Sequence, residues 1–255
     1  MKIKQIIKEI VGFTYYNLYR RYCNIIGNRV ILYHSIGSEL SHDTYGISIS
    51  KEKFVEHIQF LRKHYEIIPI DFEYKNNLDR NTISITFDDG YKDNLFALEV
   101  CKKYEIPFTL YITTGFIGEK EYLSEDDIKE FFKYDKCILG THSVKHPHLE
   151  TLSYDEQYYE LSQSKLTLEK IIGQEIVHMS YPHGSYNQDT LKIANDLGYR
   201  VITSSNIGVN TNVNLDLRTI KRIEIIATDT IEDLKYKISG FYDYLSLKNK
   251  NLELE

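Results

Sequence analysis

Between Arg29 and Ile226, short apolar runs alternate with longer segments whose apolar residues recur three and four apart. This alternation restricts the fold more than any other feature of the chain. Arg29 to Tyr33, Thr82 to Phe87, Phe108 to Ile112, Cys137 to Gly140, Ile176 to Tyr181, Arg200 to Thr203 and Ile220 to Ile226 read as buried strands. Lys51 to His64 reads as a helix with Phe54, Ile58 and Leu61 on one face, and Tyr91 to Tyr104 and Gln188 to Leu197 read as helices too. Strands and helices in turn predict an α/β fold: a mainly parallel sheet with helices outside it, open or closed into a barrel. In either case polar residues directly after a strand stand at the rim where sites are built.

Helix ends are also written into the chain. Ser124 with Asp127, Ser153 with Glu156 and Thr230 with Asp233 have capping-box spacing, and Gly173 and Gly198 are placed to end helices. No low-complexity linker, repeat or composition break divides the 255 residues, a length that one core accommodates. The expected organisation is an amphipathic helix within residues 1–27, one domain over 28–245 and a polar tail over 246–255.

In the N-terminal segment Ile3, Ile6, Ile7, Ile10 and Phe13 fall near one helix face. Lys2, Lys4 and Lys8 lie on other sides, and Arg20 and Arg21 follow. Such a helix either packs on the domain or makes a peripheral contact with an anionic membrane through residues 1–22. No stretch is apolar enough to span a bilayer, no cleavage site follows the first helix, and Cys23, Cys101 and Cys137 are dispersed as in a reducing compartment. The expected location is the cytoplasm, at the inner face of the membrane if the helix touches lipid. A formal net charge of -6 argues against nucleic acid as a partner.

Three segments that each follow a strand carry chemistry. In Thr86-Phe87-Asp88-Asp89-Gly90, two adjacent acids are either a helix cap with a spare carboxylate or a pair with divided roles, one for a cation and one for a proton. Successive side chains of an extended chain point in opposite directions, which favours divided roles. His142 and His146 are either loop histidines or two ligands meeting on one helical turn, which Pro147 ends; His148 stands outside that pair. One carboxylate with two imidazoles suits a divalent metal, zinc best, with nickel and cobalt as alternatives. In Ser180-Tyr181-Pro182-His183-Gly184 the turn is either an ordinary loop or one that aims a backbone N–H at an oxyanion.

The strings TFDDG, HSVKHP and YPHG, with VILYHS at 30–35 and the segment 47–69, resemble the NodB-homology polysaccharide deacetylase family over about residues 28–245. The resemblance implies a single-domain, distorted (β/α) barrel of about seven strands. It implies a metal-dependent hydrolase that removes N-acetyl groups from amino sugars of a polysaccharide or glycolipid. Asp88 would be the general base, and Asp89, His142 and His146 the metal ligands. Tyr181, Pro182 and His183 would form the oxyanion turn against the N-acylated sugar, with the His183 N–H as donor.

The chain also departs from the family. Ser180 occupies the place of an arginine that tethers the base, and Arg222 is either a substitute or a surface residue. The late Leu-x-His motif that supplies the family's acid is missing, because no histidine follows His183, and the fourth motif's tryptophan is absent. The His183 side chain is a candidate for the acid, Asp216 lies in the fourth motif's region, and His34 either lines the pocket or is structural. Two other functions fit the same motifs: a deformylase of a lipid-linked amino sugar and a non-catalytic carbohydrate-binding homologue.

Overall fold

The computed structural model describes residues 2–18, 25–70 and 78–245, with side chains from Ile10 onward. Arg20, Arg21, Cys23, the tail 246–255 and the side chains of Ile3, Ile6 and Ile7 lie outside the described residues. In chain order the strands are β1 (Asn28–Tyr33), β2 (Ser35–Ile36), β3 (Ser48–Ile49), β4 (Glu66–Ile67), β5 (Thr82–Phe87), β6 (Phe108–Ile112), β7 (Cys137–Thr141), β8 (His178–Ser180), β9 (Val201–Thr203) and β10 (Arg222–Glu224). The helices are α1 (Lys2–Leu18), α2 (Lys51–His64), α3 (Asn94–Tyr104), α4 (Glu125–Phe132), α5 (Tyr154–Ile172), α6 (Gln188–Asp196) and α7 (Ile231–Ser239).

The main sheet runs β10-β1-β5-β6-β7-β8-β9, every pair parallel, with β4 branching onto β5. Ile220 bridges Thr203, and Ser204 N–H bonds to the Ile220 carbonyl at 2.9 Å, so the chain entering β10 meets β9 and nearly closes the barrel. Strands buried on both faces explain the continuous apolar runs: all six residues of β1 and of β5 are buried.

The capping boxes at Ser124, Ser153 and Thr230 form as the spacing predicts, and Gly173 ends α5 at φ 71°. Several elements are shorter than their patterns. Tyr91 bridges Tyr122 and leaves α3 to begin at Asn94. Ile176 N–H turns to the Glu169 carboxylate at 2.9 Å, and Ile226 N–H to Asp229 at 2.8 Å, so the strands around them contract. One face of α1 packs on the C-terminal segment. A Cβ on Gly12 would come within 2.3 Å of Phe241, and the Tyr16 and Phe241 ring centroids are 6.4 Å apart. No helix among the described residues is long and apolar enough to cross a membrane.

Candidate active site

The site forms at the C-terminal ends of β1, β5, β7, β8 and β10. After β5 the chain reverses through two left-handed residues, Asp89 (φ 73°) and Gly90 (φ 80°). Thr113 N–H on the Asp89 carbonyl (3.2 Å) and Leu123 N–H on the Gly90 carbonyl (3.0 Å) hold the turn. The extended-chain expectation therefore fails at Asp89. The two acids do not diverge; Asp88 Oδ2 and Asp89 Oδ1 each stand 3.6 Å from His142 Nε2. Neither acid caps a helix, since Asp93 occupies the cap of α3.

His142 and His146 also meet, but not on a helical turn. Ser143 (φ 61°) and His146 (φ 58°) are both left-handed, and they fold the loop back so that the two Nε2 atoms lie 3.1 Å apart. Each such residue costs about 1–2 kcal/mol, and the surrounding bonds hold the loop there. Val144 and Lys145 N–H both donate to Glu160 Oε2 at 2.8 Å, and His146 N–H donates to Ser143 Oγ at 3.0 Å. Glu160 comes from the middle of α5, where no motif marks it. Among the described residues five non-glycines have positive φ; four of them, Asp89, Ser143, His146 and His183, line this site, and the fifth, Glu105, ends α3.

Asp89, His142 and His146 fit a metal. The edges between Asp89 Oδ1 and the two Nε2 atoms are 3.6, 3.4 and 3.1 Å. A tetrahedral ion with ligands at about 2.0–2.1 Å needs edges of roughly 3.3 Å. The His142 Nδ1–H donates to the Ser180 carbonyl at 2.8 Å, which turns the Nε2 lone pair toward the other donors. Burial pushes the His142 imidazole down to about 4, so it is neutral at ordinary pH.

Arg222, which the sequence left open as a surface residue, is 1% exposed. Its NH1 and NH2 donate to Asp88 Oδ1 and Oδ2, both at 2.7 Å. NH2 also donates to Ser180 Oγ (2.8 Å), NH1 to Thr86 Oγ1 (3.3 Å) and Nε to the Ser204 carbonyl (2.9 Å), so all five N–H groups are used. Ser180 in turn donates to Asp88 Oδ2 at 3.1 Å. The small residue on β8 thus leaves room for a guanidinium arriving from β10. Burial alone would push the Asp88 carboxyl up; Arg222, followed by His142, outweighs it and holds the group far below the usual carboxylate range.

The third turn is more divided than its sequence suggests. The Tyr181 ring is fully buried and stacks on Tyr186 (4.7 Å, 26°), and its N–H is taken by the Thr203 carbonyl at 3.0 Å, so Tyr181 supports the turn from the core and does not face the mouth. Pro182 is buried and has no N–H, and Gly184 N–H bonds back to the Tyr181 carbonyl at 2.9 Å. The His183 N–H, on a left-handed residue (φ 57°), is the donor this turn can offer. The His183 ring stacks on His148 (4.0 Å, 17°) and meets His146 edge-on (4.2 Å); burial and then the neighbouring imidazoles push it down to about 4. Asp216 pairs with Arg218 at 2.9 Å on the loop before β10. His34 directly follows β1, 3.7 Å from the Glu224 carboxylate, and its buried Nδ1 has no hydrogen-bond partner among the described residues, unlike a satisfied structural histidine.

Comparison with known proteins agrees with this arrangement. The family model described as Polysaccharide deacetylase matches residues 75–202. YxkH of Bacillus subtilis is 31% identical over 179 residues, covering 68% of this chain and 62% of the relative. The peptidoglycan-N-acetylmuramic acid deacetylase PdaA of the same organism is 31% identical over 147 residues, 56% of this chain and 54% of PdaA. The chain therefore spans between half and two thirds of the length of these curated relatives. Among solved structures, the Streptococcus pyogenes deacetylase PplD in complex with acetate is 27% identical with a TM-score of 0.74, covering 84% of this chain and 99% of that one.

Proposed function

This chain belongs to the polysaccharide deacetylase family, and from that premise we propose that it is a divalent-metal hydrolase releasing acetate from N-acetylated amino sugars of a glycan or glycolipid. The observation that carries the reading is the convergence, on His142 Nε2, of a three-donor metal set and a second carboxylate held by a buried arginine. The name of PdaA and the acetate in PplD support the acetyl amide of an amino sugar as the bond attacked.

Asp89, His142 and His146 would hold the ion, and the donor set favours zinc over nickel or cobalt. When bound, the ion supplies Lewis-acid polarisation of the acyl carbonyl. Asp88 is ionised at neutral pH and accepts the proton of the attacking water. Arg222 and Ser180 donate to Oδ2, while among the described residues Oδ1 receives only Arg222, which leaves it a lone pair for that proton. The His183 N–H would serve as the donor to the negative charge that develops on the former carbonyl oxygen.

For the leaving amine the proton donor we assign is His34, in place of the His183 ring. His34 Nδ1 stands 3.7 Å from the Glu224 carboxylate, and Tyr33, the residue before it, accepts the Asp88 N–H at 3.0 Å, which sets His34 beside the base. The His183 ring is instead packed against two other imidazoles, which disfavour a proton on it.

The test is amine release by the metal-loaded chain from N-acetylated hexosamine oligomers, with N-formylated and lipid-linked analogues alongside. Release from the N-acetyl oligomers supports the reading. Release from formyl substrates alone selects the deformylase, and metal retention with no amine from any of them selects a binding homologue.

For the location we propose a peripheral membrane contact, which two features of α1 support. Its packed face leaves Ile10, Phe13 and Leu18 exposed at 61%, 64% and 75%. Lys2, Lys4, Lys8, Arg20 and Arg21 against Glu9 give residues 1–21 a formal charge of +4 in a chain of net -6. A basic segment with exposed apolar side chains suits an anionic membrane surface, on which it would rest.

A further inference from the structure

The chain has no tryptophan, so an aromatic wall for a sugar ring must come from another residue. The exposed tyrosines 154, 158, 159 and 236 stand on α5 and α7. Tyr45 does not; it stands on the loop between β2 and β3, at the mouth of the site.

That loop is built around Asp43, whose carboxylate accepts the N–H groups of Tyr45 (3.1 Å), Gly46 (2.6 Å) and Ser48 (3.3 Å). Gly46 is left-handed (φ 91°), as the turn requires, and its carbonyl accepts Ala227 N–H at 2.7 Å, which ties the loop to the segment after β10. The Tyr45 hydroxyl donates to Glu224 Oε1 at 3.2 Å, the same oxygen that lies 3.7 Å from His34 Nδ1. The ring is thus fixed at its backbone and at its hydroxyl, yet the residue is 61% exposed. Partial burial of the side chain, then Glu224 and Asp89, oppose ionisation of the hydroxyl, so it stays a donor to Glu224. In the same loop His42 lies over Tyr91 (5.9 Å, 20°), and Tyr91 stacks on Tyr122 (5.1 Å, 25°). This stack backs the loop against the turn that carries Asp89.

Order without burial is the property of a contact surface: a rigid ring with a polar tip gives apolar area at small entropic cost. A pyranose carries an apolar C–H face bordered by hydroxyls, and Tyr45 with the Glu224 carboxylate at its edge matches that pattern. We propose that Tyr45 is the platform for the hexosamine whose amide is cleaved, its ring against the sugar's C–H face and Glu224 Oε2 open to a sugar hydroxyl. The inference rests on the hydrolase reading for where the amide lies; the ring contact itself needs only that the chain binds such a sugar.

The experiment is a calorimetric titration of an N-acetylglucosamine tetramer into the full metal-loaded chain, its Tyr45→Phe variant and its Tyr45→Ala variant, together with KM and kcat for amine release. Tyr45→Phe keeps the ring and should bind within a few-fold of wild type. Tyr45→Ala should bind about tenfold more weakly or worse, tenfold being about 1.4 kcal/mol, with the loss in KM far more than in kcat. Equal affinity in wild type and Tyr45→Ala overturns the platform, as does a wild-type chain that binds no tetramer. If the wild type binds and Tyr45→Ala does not, while neither releases amine, the platform stands and the hydrolase reading falls. If amine is released with one KM in all three, the reverse holds.

Discussion

Replacing Arg222 by Met tests how the base is held. The guanidinium and the Asp88 carboxylate are both buried, at 1% and 3% side-chain exposure, and Arg222 spends all five N–H groups in the site. Removing one partner of such a pair leaves a charge in a low-dielectric interior with the Ser180 hydroxyl as its remaining hydrogen-bond donor among the described residues, at a cost of about 3–5 kcal/mol. At this chain length that lowers Tm by about 10 °C. The sign of the pH effect follows from the folded value. In the wild type the Asp88 carboxyl titrates below its unfolded value, so its stabilisation is complete above the unfolded carboxylate value and is lost as pH falls through the folded one. In Arg222→Met, burial acts without its main opponent and the carboxyl titrates higher. The acid limb of kcat/KM therefore moves up in pH, and activity returns as the base is deprotonated at higher pH. The assay is urea unfolding at neutral pH, a pH profile of kcat/KM, and the Arg222→Met/Asp88→Asn double variant. Having no unpaired buried charge, the double variant should regain part of the stability. An Arg222→Met chain as stable as wild type, with an unmoved acid limb, refutes the argument.

His142→Ala and His146→Ala should each lose most bound metal on dialysis, measured by elemental analysis, whereas His34→Ala should keep its metal and lose rate. Glu160→Gln weakens the two backbone bonds that set the His142–His146 loop, so metal affinity should fall about 10–100-fold in a chelator competition, the usual range for residues that orient ligands; unchanged affinity would mean the loop holds itself. Deleting residues 1–22 should abolish sedimentation with anionic vesicles and leave metal content intact; equal sedimentation of both chains removes the membrane contact.

The barrel was legible because buried parallel strands and capped helices leave local signatures that packing did not override. Thr82–Phe87, Phe108–Ile112 and Lys51–His64 form with the limits their patterns predict. The acids and histidines after β5 and β7 were legible for the same reason, since a strand end fixes a rim position. The turns that bring them together were not. Left-handed backbone at Asp89, Ser143, His146 and His183 is adopted by residues that do not require it, so composition does not announce it. Nor does local pattern join Arg222 to Asp88 over 134 residues or Tyr45 to Glu224 over 179, contacts that exist only once β10 has paired with β1; Glu160 meets the loop it fastens only once α5 has packed beside β7.

The central claim divides Asp88 from Asp89, and one measurement tests it most directly: metal content and amine release of Asp88→Asn and Asp89→Asn on one accepted N-acetylated oligomer. Asp88→Asn should keep its metal and its fold and lose roughly two to four powers of ten in kcat, the range for losing a general base. Asp89→Asn should lose metal affinity, with activity partly restored by excess metal. An Asp88→Asn chain that turns over at the wild-type rate, or one that loses its metal while Asp89→Asn keeps it, contradicts the account.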